Sequence, residues 1–287
     1  MTATDHVFFS SAGLRMHAVR HPGTAGGPPV VIVPGITTPA GAFAFAADRL
    51  RRSPVVGDVY VLDMRGRGLS ERSGPGTHRA GDYADDVLAL IETAGLERTV
   101  LIGHSLGARV VAAARARFPG CSSGVVAIDP PMSGPGRRPY PTALDVFVGG
   151  IQGARMGHGE EQARHHYPTW TDEQVRSRAD WLGSCDEVAV VESYSWFHLE
   201  AFEPVWSEVE PPALLLYGEK SPVVTESDAG TLEQVNPRAT LRSVAGCGHM
   251  VPWDNLDDTT TEIESFIATI EARAGDAATS TSGGSAP

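Results

Sequence analysis

One serine of the chain lies in a pattern that is typical of an enzymatic nucleophile. The pentapeptide GHSLG at 103–107 follows the apolar run 99–102 and opens the helical segment 106–118. A sharp turn from strand to helix exposes the serine hydroxyl, and glycines two positions to either side leave room for the neighbouring backbone. The pattern predicts Ser105 as a nucleophile that attacks acyl carbon. The alternative is a turn of small residues that only lets the helix pack closely.

A serine hydroxyl is a weak nucleophile until a base removes its proton, and histidine is the usual base. The chain has 10 histidines. His249 follows the β-type run 239–244 and precedes the last helical segment, which places it in a loop at the carboxyl edge of the predicted sheet. We therefore predict His249 as the base. His104 is next to the serine but points away along the turn, so we expect it to support the site by packing or polar contact.

A carboxylate has to orient the histidine and stabilise its charged form. In this type of site the acid often follows the strand that here reads ALLLYG, but Ser221 stands at that position and cannot replace a carboxylate. Asp129 ends the preceding strand at the same sheet edge, and neighbouring strands are only about 4.8 Å apart. We predict Asp129 as the acid. Glu219 and Asp228 are the rivals, and Asp129 could instead cap the turn after its strand.

Two loops that follow early strands are predicted to complete the site. In the first, Gly35 lets the chain bend so that the backbone N–H of Ile36 faces the N–H of Leu106, and these two donors would stabilise an oxyanion. The alternative is a simple Pro-Gly turn. The second loop, DMRGRGLS at 63–70, could bind an anion, but a single glycine-rich stretch is weak evidence for phosphate. We expect the second loop to support the site structurally.

The elements that must position these residues alternate along the chain. Short apolar runs recur at 30–33, 59–62, 99–102, 125–128 and 213–217, with helix-period segments between the early ones. Buried strands that alternate with helices predict a mostly parallel sheet with helices on both faces. Residues 6–20 are β-rich on both sides of Gly13 and predict an N-terminal antiparallel hairpin.

The alternation is interrupted after the sixth strand, where 133–205 contains helical segments and no convincing strand. We predict a helical cap there, placed over the carboxyl ends of the strands, where open α/β sheets bind ligands. The core is then 1–132 and 206–273, with the last helix at about 260–273. The remaining residues, 274–287, are rich in Gly, Ser, Thr and Ala and predict a flexible tail.

The composition narrows the class of partner. The net charge of −12 and the pI near 5.2 argue against nucleic acid and anionic membranes as partners. No apolar run reaches the 18 residues that a membrane span needs. The three cysteines are odd in number and have no paired CxxC spacing, and the N-terminus has no signal-peptide pattern. We therefore expect a cytoplasmic location. The oligomeric state is left open.

The motifs GHSLG, PGI, DMRGRGLS and GHM together resemble the α/β-hydrolase family over nearly the whole chain. A narrower resemblance, to the N-formylmaleamate deformylases of aerobic nicotinate breakdown, extends over 129–141, 167–174 and 249–254, and over the spacing of the three predicted catalytic residues. This resemblance implies the α/β-hydrolase fold and hydrolysis of N-formylmaleamate to maleamate and formate, without a metal or an organic cofactor. The spacing alone predicts only a serine hydrolase.

The implied substrate is a small anion, so a local cation has to hold its carboxylate in this acidic chain. Arg137 and Arg138, at the start of the cap, are the predicted clamp; the alternative is that they lie on a solvated face. Several polar and aromatic residues of the cap are candidates for the lining of the site, with ordinary packing as the alternative for each: Tyr140, His165, His166, Trp170, Trp196 and His198.

Two other functions are compatible with the same residues. An esterase, an enol-lactonase or a carbon–carbon hydrolase would keep the three catalytic side chains and cleave another bond. The noncatalytic alternative is a protein of the same fold that only binds a small ligand. The intact set of Ser105, Asp129 and His249 argues against it. A metalloenzyme is disfavoured because His165 and His166 have no further ligands at metal spacing.

Overall fold

An eight-stranded sheet forms the centre of the molecule in the computed structural model, which describes residues 4–24 and 26–282, with the side chains of 275–282 left undescribed. The strands are β1 (Asp5–Ser11), β2 (Leu14–His21), β3 (Val30–Val33), β4 (Val59–Asp63), β5 (Val100–His104), β6 (Gly124–Ile128), β7 (Ala213–Gly218) and β8 (Thr240–Val244). Their order in the sheet is β1-β2-β4-β3-β5-β6-β7-β8. The hairpin β1-β2 and the pair β2-β4 are antiparallel, and the other pairs are parallel.

Helices cover both faces of the sheet, as the apolar runs require. They are a short 3-10 helix (Ala40–Phe43), α1 (Ala44–Leu50), α2 (Ala80–Thr93), α3 (Leu106–Arg117), α4 (Leu144–Arg155), α5 (Gly159–His166), α6 (Asp172–Leu182), α7 (Glu187–Leu199), α8 (Glu203–Glu208), α9 (Glu226–Val235), α10 (Val251–Asp254) and α11 (Leu256–Ser282). Strands β3 to β6 are buried along their whole length. One apolar cluster contains residues of α2, α3 and α9, and the other contains residues of α1 and α11. The predicted α/β architecture is confirmed.

The five helices α4 to α8 lie between β6 and β7, where the cap is expected. A buried arginine of α3, Arg109, joins the two ends of this insertion. Its guanidinium donates to the carbonyl oxygens of Pro131 (3.2 Å) and Ser133 (3.3 Å) at the first end, and to those of Phe197 (3.1 Å) and Glu200 at the second. Both ends of the insertion are therefore attached to the helix that follows Ser105. The exact limits 133–205 stay a prediction.

The C-terminal helix differs from the expected one. Helix α11 begins at Leu256 and continues to Ser282, beyond the expected end at Arg273. Part of the predicted flexible tail is thus helical, and 283–287 lie outside the described residues. Along the described part of the chain, we find no helix with the length and apolar character needed to cross a membrane.

Candidate active site

Ser105 occupies a strained turn between β5 and α3. Its backbone φ is 55° and ψ is −120°, a combination that non-glycine residues rarely adopt. The Ser105 N–H donates to the Ile128 carbonyl oxygen at 2.8 Å, which fixes the turn to β6. A Cβ on Gly103 would collide with the Gly107 carbonyl, and a Cβ on Gly107 would collide with the Val33 carbonyl. The two glycines of the motif are therefore required for the turn to pack.

The structure brings the three predicted catalytic side chains together. Ser105 Oγ lies 3.1 Å from His249 Nε2, and His249 Nδ1 lies 2.6 Å from Asp129 Oδ2. Asp129 directly follows β6, and His249 lies between β8 and α10, so all three stand at the carboxyl edge of the sheet. With the Nδ1 proton donated to the carboxylate, Nε2 carries the lone pair that accepts the serine proton.

The carboxyl group of Asp129 is fully buried and held by several donors. Its Oδ2 accepts a hydrogen bond from Ser221 Oγ at 2.6 Å as well as from His249, and its Oδ1 accepts from the Gly218 N–H at 3.2 Å. Burial raises the pKa of the Asp129 carboxyl, and the hydrogen bonds from His249 and Ser221 oppose this rise. Ser221, at the position where an acid is often found, thus donates to the acid from the neighbouring strand.

The two rival carboxylates lie elsewhere. Glu219 accepts a hydrogen bond from the Gly246 N–H at 2.8 Å and is exposed. Asp228 accepts from the Thr225 hydroxyl at 2.7 Å and from Arg138 at 2.6 Å. Neither carboxylate bonds to His249, so the geometry favours Asp129 as the acid.

The expected oxyanion donors are at the start of α3 and in the loop after β3. Ile36 lines the cavity over Ser105, and Leu106 is the first residue of α3, whose N–H has no partner within the helix. In the described part of the chain, neither N–H has a protein acceptor. Arg67 from the 63–70 loop is fully buried and donates to the Ile36 carbonyl at 3.1 Å. The loop therefore holds the oxyanion turn in place, which is the structural role expected for it.

A cavity of about 230 Å³ lies over Ser105. Loops of the core form its floor, with Ile36 and His249, and cap helices form its roof, with Gln162 of α5 and Arg178 of α6. The volume suits a small molecule.

The alpha/beta hydrolase fold family matches residues 28–256, which is most of the chain. The chain belongs to this family. It is 40% identical over 250 residues to the N-formylmaleamate deformylase of Pseudomonas putida, an alignment that covers 86% of this chain and 91% of the relative. It is 28% identical to the 2-(acetamidomethylene)succinate hydrolase of Mesorhizobium japonicum, over 84% of this chain and 88% of the relative.

A solved structure agrees with these relatives. The N-formylmaleamic acid deformylase structure from Pseudomonas putida has a TM-score of 0.83 and 35% identity, and the match covers 90% of this chain and 100% of that one. The resemblance drawn from the sequence motifs is confirmed, and so is the prediction of a hydrolytic enzyme.

The hydrolase does not form the predicted carboxylate clamp. Arg137 pairs with Asp228 at 2.8 Å and with Glu203 at 3.1 Å, and Arg138 pairs with Asp228 at 2.6 Å and donates to the Val223 carbonyl at 2.7 Å. Neither arginine lines the cavity. The loop after β6 directs both side chains toward the N-terminal end of α9, where they neutralise Asp228. The sequence showed where the loop starts but not which way its side chains face.

The two tryptophans proposed for the lining are packing residues of the hydrolase. Trp170 stacks between Tyr167, with ring centroids 4.0 Å apart, and Trp253, at 5.5 Å. Tyr167 lines the cavity, so Trp170 forms the layer behind it. Trp196 donates from Nε1 to Glu200 at 2.6 Å and does not reach the cavity.

Tyr140 lines the cavity as expected, and His198 acts on it from behind. The Tyr140 hydroxyl lies 2.9 Å from His249 Nε2. His198 accepts the Tyr140 N–H at Nε2 (3.2 Å) and donates from Nδ1 to the Tyr194 carbonyl (2.8 Å). His198 therefore positions the Tyr140 backbone and lies outside the cavity lining.

The cation of the cavity is Arg178, which the motifs did not single out. It donates to the Thr37 carbonyl at 2.7 Å and to Thr37 Oγ1 at 2.9 Å. Among the described residues that line the cavity, it is the only arginine or lysine; His166 lines the cavity and His165 does not. A sequence signal existed: Val175 and Leu182 form the buried stripe of α6, and Arg178 lies on that stripe at helical spacing.

His104 supports the catalytic histidine. Its Nε2 donates to the His249 carbonyl at 3.0 Å, and its ring lies 5.1 Å from the His249 ring. Burial, and secondly the neighbouring His249, lower the pKa of His104 to about 3. His104 is thus uncharged at neutral pH, which agrees with the supporting role expected from its position.

The low pKa of His104 predicts acid sensitivity of the fold. The unfolded chain binds a proton at His104 below a pH of about 6.5, whereas the folded chain does not until about pH 3. The stability from the neutral ring is therefore present above about pH 6.5 and is lost as the pH falls, by about 2 kcal/mol at pH 5. In urea titrations, His104→Gln, which keeps a donor for the His249 carbonyl, is expected to lose about 2 kcal/mol less than the unsubstituted hydrolase between pH 7 and pH 5. The exposed His158→Gln is the control, and an equal loss in all three proteins would contradict the assignment.

Proposed function

We propose that the hydrolase cleaves N-formylmaleamate to maleamate and formate. The observation that carries this proposal is the small cavity over Ser105 with Arg178 in its wall. Such a cavity fits a short acyl compound that carries one carboxylate. The name of the relative with 40% identity supports the same substrate. The motif resemblance also implies that the enzyme acts in nicotinate degradation, and this role depends on the same substrate.

The first half of the reaction forms an acyl-enzyme. His249 accepts the Ser105 proton at Nε2 as Ser105 Oγ attacks the formyl carbon, and Asp129 holds the imidazole in the required orientation. The negative charge that develops on the formyl oxygen is stabilised by the N–H groups of Ile36 and Leu106. The C–N bond then breaks, the proton taken up by His249 passes to the leaving nitrogen, and maleamate departs, so that His249 is neutral again and a formyl ester remains on Ser105.

The second half releases formate. A water molecule gives a proton to His249 and attacks the formyl ester, and the same N–H groups stabilise the second oxyanion. Ser105 leaves and regains its proton from His249. The leaving nitrogen of the first half is next to a carbonyl group, which makes it easier to expel than the nitrogen of a simple amide.

Arg178 supplies the charge that selects the substrate. The chain has a net charge of −12, so its overall field repels an anion, and a local guanidinium has to offset this repulsion. A guanidinium can bind a carboxylate through two parallel hydrogen bonds. Because Arg178 is fixed by Thr37, next to the oxyanion donor Ile36, a bound carboxylate is held at a set distance from the reacting carbon.

Product analysis tests the proposed reaction. Mass spectrometry should find maleamate and formate in equal amounts from N-formylmaleamate, and Ser105→Ala should form neither. Cleavage of aryl formates without cleavage of N-formylmaleamate would contradict the proposal and favour the esterase alternative.

Arg178→Gln is expected to weaken selection of the anion. The variant should lower kcat/KM for N-formylmaleamate about tenfold to a hundredfold, the range for loss of a charge-assisted hydrogen bond, mainly through KM. N-formylisocrotonamide, which keeps the cis double bond and has a methyl group in place of the carboxylate, should be affected much less. Arg176→Gln is the matched control, because Arg176 is exposed on the same helix. Equal losses on both substrates would show that Arg178 only holds Thr37 in place.

A further inference from the structure

Two hydroxyl groups share one nitrogen atom in the active site. His249 Nε2 lies 2.9 Å from the Tyr140 hydroxyl and 3.1 Å from Ser105 Oγ. With Nδ1 bonded to Asp129, Nε2 has one lone pair in the resting enzyme and one proton after Ser105 has reacted. The serine needs this nitrogen as a base, so the mechanism given above leaves the second hydroxyl without a role.

We propose that the Tyr140 hydroxyl is a catalytic proton donor that relays the proton from His249 to the leaving nitrogen. This inference rests on the proposed function in one respect, that the leaving atom is nitrogen. An amide nitrogen that leaves without a proton is a very strong base, so it has to be protonated as the C–N bond breaks. His249 Nε2 faces Ser105 Oγ, whereas the leaving nitrogen is a different substituent of the formyl carbon. The proton on Nε2 therefore has to travel from the serine side to the nitrogen side of that carbon. A hydroxyl that contacts Nε2 and lines the cavity shortens this transfer.

The surroundings of Tyr140 hold its hydroxyl in the relay position. The backbone is fixed by the bond from the Tyr140 N–H to His198. The ring packs against Phe197 and Phe147, with centroids at 5.2 and 6.1 Å. Burial raises the pKa of the Tyr140 hydroxyl far above its usual range, so the group keeps its proton in the resting enzyme. Tyr140 therefore loses its proton only when another group replaces it in the same step.

The relay balances in protons and electrons. Ser105 gives its proton to His249 Nε2 while its oxygen bonds to the formyl carbon, and the carbonyl π pair moves to the oxyanion. When the intermediate collapses, that pair re-forms the carbonyl and the C–N bonding pair moves to nitrogen. The Tyr140 O–H proton then bonds to the nitrogen, and the His249 Nε2 proton moves to the Tyr140 oxygen. Tyr140 ends as it began, and His249 is neutral for the attack of water.

A matched pair of substrates tests the relay. Para-nitroformanilide and para-nitrophenyl formate carry the same formyl and aryl groups, but the first loses nitrogen and the second loses a phenolate that needs no proton. Tyr140→Phe should lower kcat/KM for the anilide about a hundredfold or more, the range for general acid catalysis. The ester should be cleaved as fast as before or faster, because Ser105 then has no competitor for Nε2. Spontaneous hydrolysis of the ester is subtracted in each assay.

Tyr194→Phe is the control, since the Tyr194 ring packs against Tyr140 and its hydroxyl donates to the Thr142 carbonyl at 3.2 Å, away from His249. It should leave the ratio of anilide to ester cleavage unchanged. Equal losses on both substrates in Tyr140→Phe would overturn the relay and indicate a structural role. If the unsubstituted hydrolase cleaves para-nitroformanilide but not N-formylmaleamate, the proposed substrate is wrong and the relay stands. Failure to cleave any N-formyl compound would overturn both.

Discussion

Asp129→Asn is expected to lower kcat about ten-thousand-fold, as loss of the orienting carboxylate does in serine proteases. Both oxygens of Asp129 act as hydrogen-bond acceptors. Oδ2 accepts from His249 Nδ1 and Ser221 Oγ, and Oδ1 accepts from the Gly218 N–H. An asparagine has only one acceptor oxygen. If its NH₂ group faces His249, Nδ1 becomes the acceptor and Nε2 carries the proton, so the base is lost. If its NH₂ group faces Gly218, two N–H groups meet.

Glu219→Gln is the control for this prediction. Glu219 follows the neighbouring strand β7 at the same sheet edge, and among the described residues its carboxylate accepts a hydrogen bond only from the Gly246 N–H, so its loss should leave the rate unchanged. Steady-state formate release from both variants, with circular dichroism to verify folding, separates the two carboxylates. A loss of rate in Glu219→Gln together with a normal rate in Asp129→Asn would mean that the acid has been assigned to the wrong residue.

Removal of Ser105 or of His249 is expected to give the largest loss, about a millionfold in kcat, and the double variant should be no slower than either single one. The reason is that the two side chains take part in one proton transfer across 3.1 Å, so the loss of either one abolishes the attack by serine. Ser105→Ala, His249→Ala and the double variant should be compared in long incubations at high enzyme concentration. If the loss of kcat in the double variant equals the product of the two single losses, the residues act independently, which would contradict the proposed attack.

A serine-directed phosphonate checks the nucleophile without a substrate. It should label the unsubstituted hydrolase and Ser195→Ala, in which an exposed serine of α7 is replaced, but not Ser105→Ala. Absence of labelling in all three proteins would favour the ligand-binding alternative over an enzyme.

The core of the site could be predicted because each catalytic residue follows a strand. Ser105 and Asp129 come directly after β5 and β6, and His249 lies in the loop that follows β8, while parallel strands end at one edge of a sheet. Their meeting therefore depends on local patterns and on a general property of the fold. The choice of Asp129 over Glu219 followed from the same property, since β6 and β7 are neighbours.

The cap could be located but its inner surface could not. Which residues line the cavity depends on the rotation of each cap helix, and tertiary contacts set that rotation. Arg178 faces inward because Val175 and Leu182 bury the same stripe, whereas Arg137 and Arg138 are drawn to Asp228, which is distant in the sequence. The extension of α11 past Arg273 was missed because a composition rich in Gly, Ser and Thr is typical of tails.

The guanidinium of Arg109 determines which part of the chain can vary when the substrate range changes. Because it holds Pro131 and Ser133 at one end of the insertion and Phe197 and Glu200 at the other, the whole insertion is a loop closed at its base. A foreign segment grafted between those two ends would meet the same anchor, and the nucleophile turn beneath it would keep its shape. Substrate range can therefore change through the insertion, which supplies Tyr140 and Arg178 to the cavity, while Ser105, Asp129 and His249 stay at the edge of the sheet.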